Sequence, residues 1–267
     1  MSGTTPAYAE HADFAAALSL SGQLADVARE IVQRYFRAAP AVEAKPDGSP
    51  VTVADRAIET EMRRLIRARF PAHAIRGEEF GAEGEGEFTW VLDPIDGTKS
   101  FITGFPVFGS LIALLRDGRP VLGVLEAPAL GERWVGCEGR PTLFNGLPAR
   151  TSACRALGQA TIYTTTAETF TAGELSRFDR LAARTGLRRF GGDSYLYGLI
   201  ASGHCELVVE ARLKPHDFMA LVPVIEGAGG RISDWRGAPL SNASDGRVVA
   251  VANDTLWQEA LAVLSGD

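Results

Sequence analysis

The order of its segments predicts an α/β (α+β) protein built from alternating layers of sheet and helix. Three observations predict this fold class: two long helical periods lie near the N-terminus, an apolar strand meander follows, and strands alternate with helices through the second half. The chain has 267 residues, of which 46% are hydrophobic and 22% are charged. This ordinary globular composition excludes the collagen-like, coiled-coil and disordered classes.

Two helices are expected near the N-terminus. Apolar residues recur at spacings of three and four over residues 14–36, which predicts the first helix. Residues 43–50 are polar and contain two prolines, so we expect a loop there. Residues 52–70 predict a second helix, with Asp55 in its first turn, where the helix dipole favours a carboxylate.

The middle of the chain predicts an antiparallel meander. Its strands are short, apolar and β-prone, and we expect them at residues 89–92, 107–115, 121–125 and 133–137. The first ends at Asp93, and Asp117-Gly118 predicts a hairpin turn between the second and the third.

The second half alternates strands with helices. We expect strands at residues 161–165, 206–210 and 248–252. We expect helices at residues 174–185, 194–201 and 216–228, and a last helix from Thr255, where Thr255 and Gln258 predict a capping box. The turn-rich stretch 139–151 is the best domain boundary, which gives an N-terminal α+β half, 1–145, and a C-terminal α/β half, 146–267.

Charge and cysteine content exclude several functions. The net charge is −6, and no basic tract is present, so binding to duplex nucleic acid or to an anionic membrane is not expected. Three scattered cysteines argue against a disulfide framework and fit a reducing, cytoplasmic location. No apolar run is long enough for a membrane span, and the N-terminus lacks the positive region of a signal peptide.

The sharpest chemical signal is the segment Asp93-Pro94-Ile95-Asp96-Gly97-Thr98, which follows an apolar strand. It brings two carboxylates and a hydroxyl onto a turn, and clustered carboxylates with a backbone carbonyl are ligands for hard cations such as Mg²⁺. A simple strand-ending turn capped by Asp is the alternative. Because the two acids are three residues apart rather than two, a covalent aspartyl-phosphate mechanism is disfavoured.

Three motifs occur in an order that resembles the inositol monophosphatase superfamily of metal-dependent phosphatases. They are Gly77-Glu78-Glu79, residues 93–98, and His216-Asp217 followed by residues 226–230 (Glu-Gly-Ala-Gly-Gly). Residues 52–55 (Thr-Val-Ala-Asp) also match its N-terminal helix. The resemblance implies a layered α/β/α/β/α sandwich of the inositol monophosphatase and fructose-1,6-bisphosphatase type, with the site between the two halves.

The resemblance also implies two to three Mg²⁺ ions in each active site. The implied metal ligands are Glu78, Asp93, the carbonyl of Ile95, Asp96 and Asp217. Asp93 would bridge two ions, and only Asp217 would come from the C-terminal half. The four carboxylates carry a summed charge of −4 and would repel one another without metal, which supports the same conclusion.

The catalytic residues implied by the resemblance are Asp55, Glu78 and Thr98. A Thr98 hydroxyl bonded to Asp55 would polarise the attacking water, which a metal activates, and hydrolysis would be direct and in line, without a phosphoenzyme. Taken alone, Asp55 would be a carboxylate that interacts with the helix dipole.

Several residues are expected to contact the substrate: Lys45, Asp96, Gly97, Thr98, Asp193, Glu210 and Asp217. The amides of Gly97 and Thr98 would meet phosphate oxygens at a helix start. Lys45 would contact phosphate or simply be solvated. Asp193 would cap the helix that starts near Ser194, contact the substrate, or do both.

Within the superfamily, residues 191–195 and 210–218 resemble the bacterial histidinol-phosphate phosphatases of this fold. Asp193 and Glu210 beside a phosphate site suit a substrate that is anionic at one end and cationic at the other, as L-histidinol phosphate of histidine biosynthesis is. Glu210 could instead pair with Arg212 or Lys214. The alternatives are an inositol monophosphatase, a broader sugar-phosphate phosphatase, or a non-catalytic metal-binding scaffold. The partners expected are a small phosphomonoester and, from the resemblance, a second copy in a homodimer.

Overall fold

A computed structural model describes residues 13–38, 42–44 and 50–266. Within these residues, helices and two large sheets form five layers in the order helix, sheet, helix, sheet, helix. The predicted α/β/α/β/α sandwich is therefore confirmed. None of the helices described has both the length and the apolar character needed to cross a membrane.

The two predicted N-terminal helices, α1 (Phe14–Tyr35) and α2 (Val53–Arg69), form the first layer. Their apolar faces pack on one side of the larger sheet, because residues three and four apart fall on one face of a helix. Thr52 caps α2 and forms a capping box with Asp55, which fixes where the helix begins.

A short strand pair precedes α2. Strand β1 (Val42–Ala44) pairs antiparallel with β2 (Pro50–Thr52), so that Glu43 lies opposite Val51. The expected loop at 43–50 is thus wrong at both ends, because residues 43 and 44 at one end and Pro50 at the other lie in the two paired strands. The residues between the two strands lie outside the part of the chain described.

The larger sheet contains the predicted meander. Its strands are β3 (Ala74–Gly77), β4 (Gly81–Glu83), β5 (Phe88–Asp96), β6 (Gly109–Arg116), β7 (Arg119–Ala127), β8 (Glu132–Cys137), β9 (Arg140–Phe144) and β10 (Leu147–Pro148). Their order across the sheet is β10-β9-β8-β7-β6-β5-β3-β4. The turn-rich stretch at 139–151 holds β9 and β10, joined at Asn145-Gly146, where both φ angles are positive as such hairpin turns require. The division into residues 1–145 and 146–267 stays a prediction.

The smaller sheet and its helices complete the sandwich. The strands are β11 (Thr161–Thr164), β12 (Leu187–Phe190), β13 (Leu207–Glu210), β14 (Arg231–Ser233) and β15 (Val248–Val251), in the order β12-β11-β13-β15-β14. Helices α5 (Tyr195–Ala201) and α7 (Leu221–Gly227) pack between the two sheets. Helices α4 (Ala172–Ala182) and α8 (Asp254–Leu264) cover the outer face.

Two expected helices differ in the structure. The single helix at 216–228 is two, α6 (Pro215–Phe218) and α7, because Pro223 has no N–H to continue the ladder and is tolerated only in a first turn. Helix α8 begins one residue earlier than expected, and Asn253 rather than Thr255 is its cap, with the Asn253 side chain accepting from the Leu256 amide.

Candidate active site

The two carboxylates of the central motif lie at the end of β5. On a regular strand, residues i and i+3 face opposite sides of the sheet. Here the register shifts by one residue, since Asp93 lies opposite Leu111 and Asp96 lies opposite Gly109. This irregularity lets both carboxylates face one site.

Asp217 joins the two aspartates from the other half of the chain. It lies in α6, which begins at Pro215, and its Oδ2 accepts a hydrogen bond of 2.7 Å from the Lys214 amide. One carboxylate oxygen each from Asp93, Asp96 and Asp217 lies within 4.8 Å of the others. The structure thus brings together three of the predicted ligands, which offer the oxygen atoms that Mg²⁺ binds.

Glu78, the fourth predicted carboxylate, reaches the same cluster from the loop after β3. One of its oxygens, one oxygen of Asp93 and one ring nitrogen of His216 all lie within 4.8 Å of one another. Glu78 is a ligand predicted from the sequence, whereas His216 is predicted only as part of a motif.

A buried glutamate of α2 holds the loop that carries Glu78. The Glu59 carboxylate accepts hydrogen bonds of 2.7 Å and 3.2 Å from the amides of Glu79 and Phe80, and it pairs with Arg63. Gly77 is needed beside it, because a Cβ at that position would lie 1.9 Å from a carboxylate oxygen of Glu59. Helix α2 therefore fixes the position of the loop.

The cluster is strongly acidic, with Asp93 fully buried and the other carboxylates half-buried. Burial raises the pKa of Asp93, Asp96 and Asp217 above their usual range, and neighbouring carboxylates raise those of Asp93 and Asp96 further. Oδ1 of Asp93 is buried and has no hydrogen-bond partner among the described residues. A divalent cation would give this oxygen a partner and offset the repulsion, so the residues present fit the metal that the resemblance implies.

Ile95 and Thr98 lie together in the turn after Asp93. The Thr98 hydroxyl donates a hydrogen bond of 3.1 Å to the Ile95 carbonyl, the predicted backbone ligand. The expected hydrogen bond from Thr98 to Asp55 is not formed in this structure. Instead, Oδ2 of Asp55 accepts from the amide and the hydroxyl of Thr52, while its buried Oδ1 has no partner among the described residues. One oxygen of Asp55 thus bonds at the start of α2, and the other can accept a hydrogen bond from a ligand or a water molecule.

Gly97 allows two segments to approach closely. It has a φ of 88° and immediately precedes α3 (Thr98–Ile102). A Cβ at this position would lie 2.7 Å from Oδ2 of Asp193, which also accepts a hydrogen bond of 2.7 Å from the Ser100 hydroxyl. The glycine therefore permits the contact between the turn after β5 and the residues before α5.

The side chain of Asp193 does not cap α5. Ser194 is the cap residue, without a side-chain cap bond, and the carboxylate that accepts from its amide, at 2.6 Å, is that of Asp96. Burial raises the pKa of Asp193, against the opposing effects of Ser100 and Lys99. The sequence left two roles open for the Asp193 side chain, a helix cap and a substrate contact. The structure excludes the helix cap.

Glu210 ends β13 and is almost fully buried. Its carboxylate accepts hydrogen bonds from the Thr165 amide at 2.7 Å and from the Thr164 hydroxyl at 3.2 Å, and neither Arg212 nor Lys214 supplies one. Burial raises the pKa of Glu210 to about 7.

One cavity of about 220 Å³ joins the predicted substrate residues to the metal cluster. Its charged and polar lining includes Asp96, Lys99, Asp193, Tyr197, Glu210 and Asp217. The Tyr197 hydroxyl is buried without a hydrogen-bond partner among the described residues, and no motif in the sequence points to it. Asp193 precedes α5 with a positive φ of 46°, so the helical spacing of residues four apart does not relate these two residues.

Two further observations concern the extent of the candidate site. Lys45 lies outside the described residues. A larger cavity, of about 560 Å³, lies beside β8, β9 and α7, but none of the predicted site residues lines it. Of the two cavities, only the smaller one is lined by predicted site residues.

A family model described as the inositol monophosphatase family matches residues 15–265. The chain belongs to the inositol monophosphatase family. Within this family, it is 45% identical over 256 residues to the bifunctional phosphatase IMPL2 of Arabidopsis thaliana, a match that covers 92% of this chain and 74% of that protein. It is 37% identical over 250 residues to a histidinol-phosphatase of Chlorobaculum parvum, a match that covers 92% of this chain and 96% of that protein.

A solved structure agrees with this family membership. An inositol monophosphatase from Zymomonas mobilis is 43% identical and superposes with a TM-score of 0.88, covering 96% of this chain and 100% of that chain. The protein is thus an inositol monophosphatase family phosphatase, and the family is metal-dependent.

Proposed function

We propose that this phosphatase hydrolyses L-histidinol phosphate to L-histidinol and inorganic phosphate, a step of histidine biosynthesis. One observation carries the proposal. Two carboxylates that belong to neither metal group, the half-buried Asp193 and the buried Glu210, line the same cavity as the cluster residues Asp96 and Asp217.

The charge of this cavity favours a substrate with a cationic end. A phosphate held at the Asp96 and Asp217 end leaves the remainder of the substrate near Asp193 and Glu210. The amine and imidazole of histidinol can donate to these carboxylates as cations, whereas inositol offers only neutral hydroxyls. A cation beside Glu210 would also stabilise the ionised form of a carboxylate that burial holds near half-protonation at neutral pH.

The chemistry follows from the family and from the carboxylate cluster. Mg²⁺ ions held by Glu78, Asp93, the Ile95 carbonyl, Asp96 and Asp217 would neutralise the phosphate and lower the pKa of the attacking water. We infer that Asp55 and Thr98 orient this water, because one buried oxygen of Asp55 has no hydrogen-bond partner in the part of the chain that the structure describes. The amides of Gly97 and Thr98 would contact phosphate oxygens, and water would attack directly, without a phosphoenzyme.

Names of relatives support the substrate without deciding it. The Chlorobaculum relative is called a histidinol-phosphatase, and relatives with the same name occur in Mycobacterium tuberculosis and Streptomyces coelicolor. Lys45 as a phosphate contact, a homodimeric assembly and a cytoplasmic location remain parts of the same proposal.

A second candidate is an inositol monophosphatase or a broader sugar-phosphate phosphatase. The observation that favours it is the 43% identity to the Zymomonas protein, which is described as an inositol monophosphatase. A non-catalytic metal-binding scaffold is not proposed, because the chain is an inositol monophosphatase family phosphatase.

The Asp193→Asn variant tests the proposal. Asn tolerates the positive φ of 46° at this position and can still accept from Ser100, so the change removes charge with little effect on the backbone. A charge-assisted hydrogen bond is worth about 1.5–3 kcal/mol, so kcat/KM for histidinol phosphate should fall about ten- to hundredfold. Glycerol 2-phosphate, an ester whose alcohol part carries no charge, should be hydrolysed as before.

The ratio of kcat/KM for the two esters is the observable, since it cancels general damage to the metal cluster. Asp117→Asn is the matched control, because Asp117 is an exposed hairpin aspartate with a similar φ of 49°. An unchanged ratio in both Asp193→Asn and Glu210→Gln would show that these acids do not bind a cation, and the sugar-phosphate alternative would replace the proposal.

A further inference from the structure

A ring nitrogen of His216 lies among the carboxylate oxygens of the cluster. His216 precedes Asp217 in α6, and its side chain is 13% exposed. A ring nitrogen lies within 4.8 Å of one oxygen of Glu78 and one of Asp93, and these two oxygens lie within 4.8 Å of each other. Nε2 of His216 also lies 3.4 Å from Oδ1 of Asp217.

These distances suit three ligands of one ion. Nitrogen and carboxylate ligands lie about 2.0–2.2 Å from a transition-metal ion, so any two of them lie at most about 4.4 Å apart. In the structure the ligand atoms lie within 4.8 Å of one another, an upper bound that exceeds 4.4 Å by a few tenths of an ångström. Small side-chain movements can close this difference. A second observation points independently to a ligand, because Oδ1 of Asp93 is buried without a partner among the described residues.

We propose that His216 is a nitrogen ligand of the ion held by Glu78 and Asp93, and that this nitrogen gives the position a preference for Mn²⁺, although Mg²⁺ also binds there. Imidazole favours transition metals, whereas Mg²⁺ prefers oxygen ligands. The group formed by Asp93, Asp96 and Asp217 contains only oxygen ligands and keeps no such preference. The inference rests on the metal dependence of the family and not on the identity of the substrate.

Pulsed electron paramagnetic resonance of the full chain loaded with Mn²⁺ tests this inference directly. The wild-type protein should show electron-spin-echo modulation from a ¹⁴N nucleus, and labelling histidine with ¹⁵N should change it. The His216→Gln variant should lose the modulation. The matched control His204→Gln should keep it, because His204 is exposed and lies outside both ligand groups.

A binding titration gives a second readout. We expect the dissociation constant for Mn²⁺ at the His216 position to rise on the order of tenfold in His216→Gln, whereas binding of Mg²⁺ should change much less. If Mn²⁺ binds to the wild type without nitrogen modulation, His216 is not a ligand and the inference is overturned. If no divalent ion binds to the wild type at all, the carboxylate cluster is not a metal site, and the metal chemistry under the proposed function fails as well. The wild-type spectrum decides between these outcomes whether or not the variant folds.

Discussion

Replacing Glu210 by Gln should reduce the loss of folding stability of the metal-free protein as the pH rises from about 5 to about 8. Glu210 is 2% exposed, and burial is the main cause of its raised pKa. Gln keeps the shape of the side chain and an oxygen that can accept from the Thr165 amide. The change therefore removes the ionisable group and leaves most of the local structure in place.

The sign follows from the direction of the pKa change. The pKa rises from 4.5 to about 7 on folding, so protonation of Glu210 stabilises the folded state. This stabilisation is complete below the unfolded pKa and is lost as the pH rises through the folded one. Between about pH 5 and about pH 8 the wild type should lose roughly 2.5 kcal/mol that the Glu210→Gln variant does not lose.

Thermal unfolding in EDTA at the two pH values measures this difference. For a chain of this size the loss corresponds to a change of roughly 5–10 °C in the difference between the Tm values of variant and wild type. Glu206→Gln is the matched control for a lost hydrogen bond, because Glu206 accepts from the Thr161 amide at the other end of the same strands, away from the cluster. If the variant and the wild type lose stability equally from about pH 5 to about pH 8, burial of Glu210 does not have the energetic effect inferred here.

Three further substitutions test separate parts of the site. Asp93→Asn should abolish phosphatase activity and raise the Tm of the metal-free protein at neutral pH, because it relieves repulsion among buried carboxylates; turnover near the wild-type level in saturating Mg²⁺ would contradict its role as a ligand. Tyr197→Phe should raise KM for histidinol phosphate about five- to tenfold with little effect on Tm, since its buried hydroxyl bonds to none of the residues that the structure describes; an unchanged KM would exclude a substrate contact. Gly97→Ala should lower the stability by about 1–3 kcal/mol, measured by urea unfolding, because of its positive φ and the contact with Asp193; an unchanged midpoint would show that the turn adapts.

Long periodic segments could be predicted from the sequence because their physics is local. Helices α1 and α2 and the strands of the meander repeat their apolar residues over many positions, and each repeat buries one face. The short strands β3, β4, β12 and β14 were missed, since three or four residues carry too little pattern. Their pairing depends on neighbours that are distant in the sequence.

The site residues could be named from motifs, but their arrangement could not be predicted. Spacing alone placed Asp93 and Asp96 on opposite faces of a strand, and only the register shift in β5 brings them together. The partners of Asp193 and Glu210 come from residues about 93 and 46 positions away, respectively, so no local signal could reveal them. The proximity of His216 to Glu78 likewise depends on how the two halves pack.

Hydrolysis of a substrate with a cationic end at this metal cluster is tested by kcat/KM of the wild-type protein for L-histidinol phosphate and for myo-inositol 1-phosphate, in Mg²⁺ and again after EDTA. We expect metal-dependent hydrolysis of both, with histidinol phosphate preferred by at least about tenfold, as one charge-assisted contact would give. Equal hydrolysis of the two esters, or a preference for the inositol ester, would contradict this expectation.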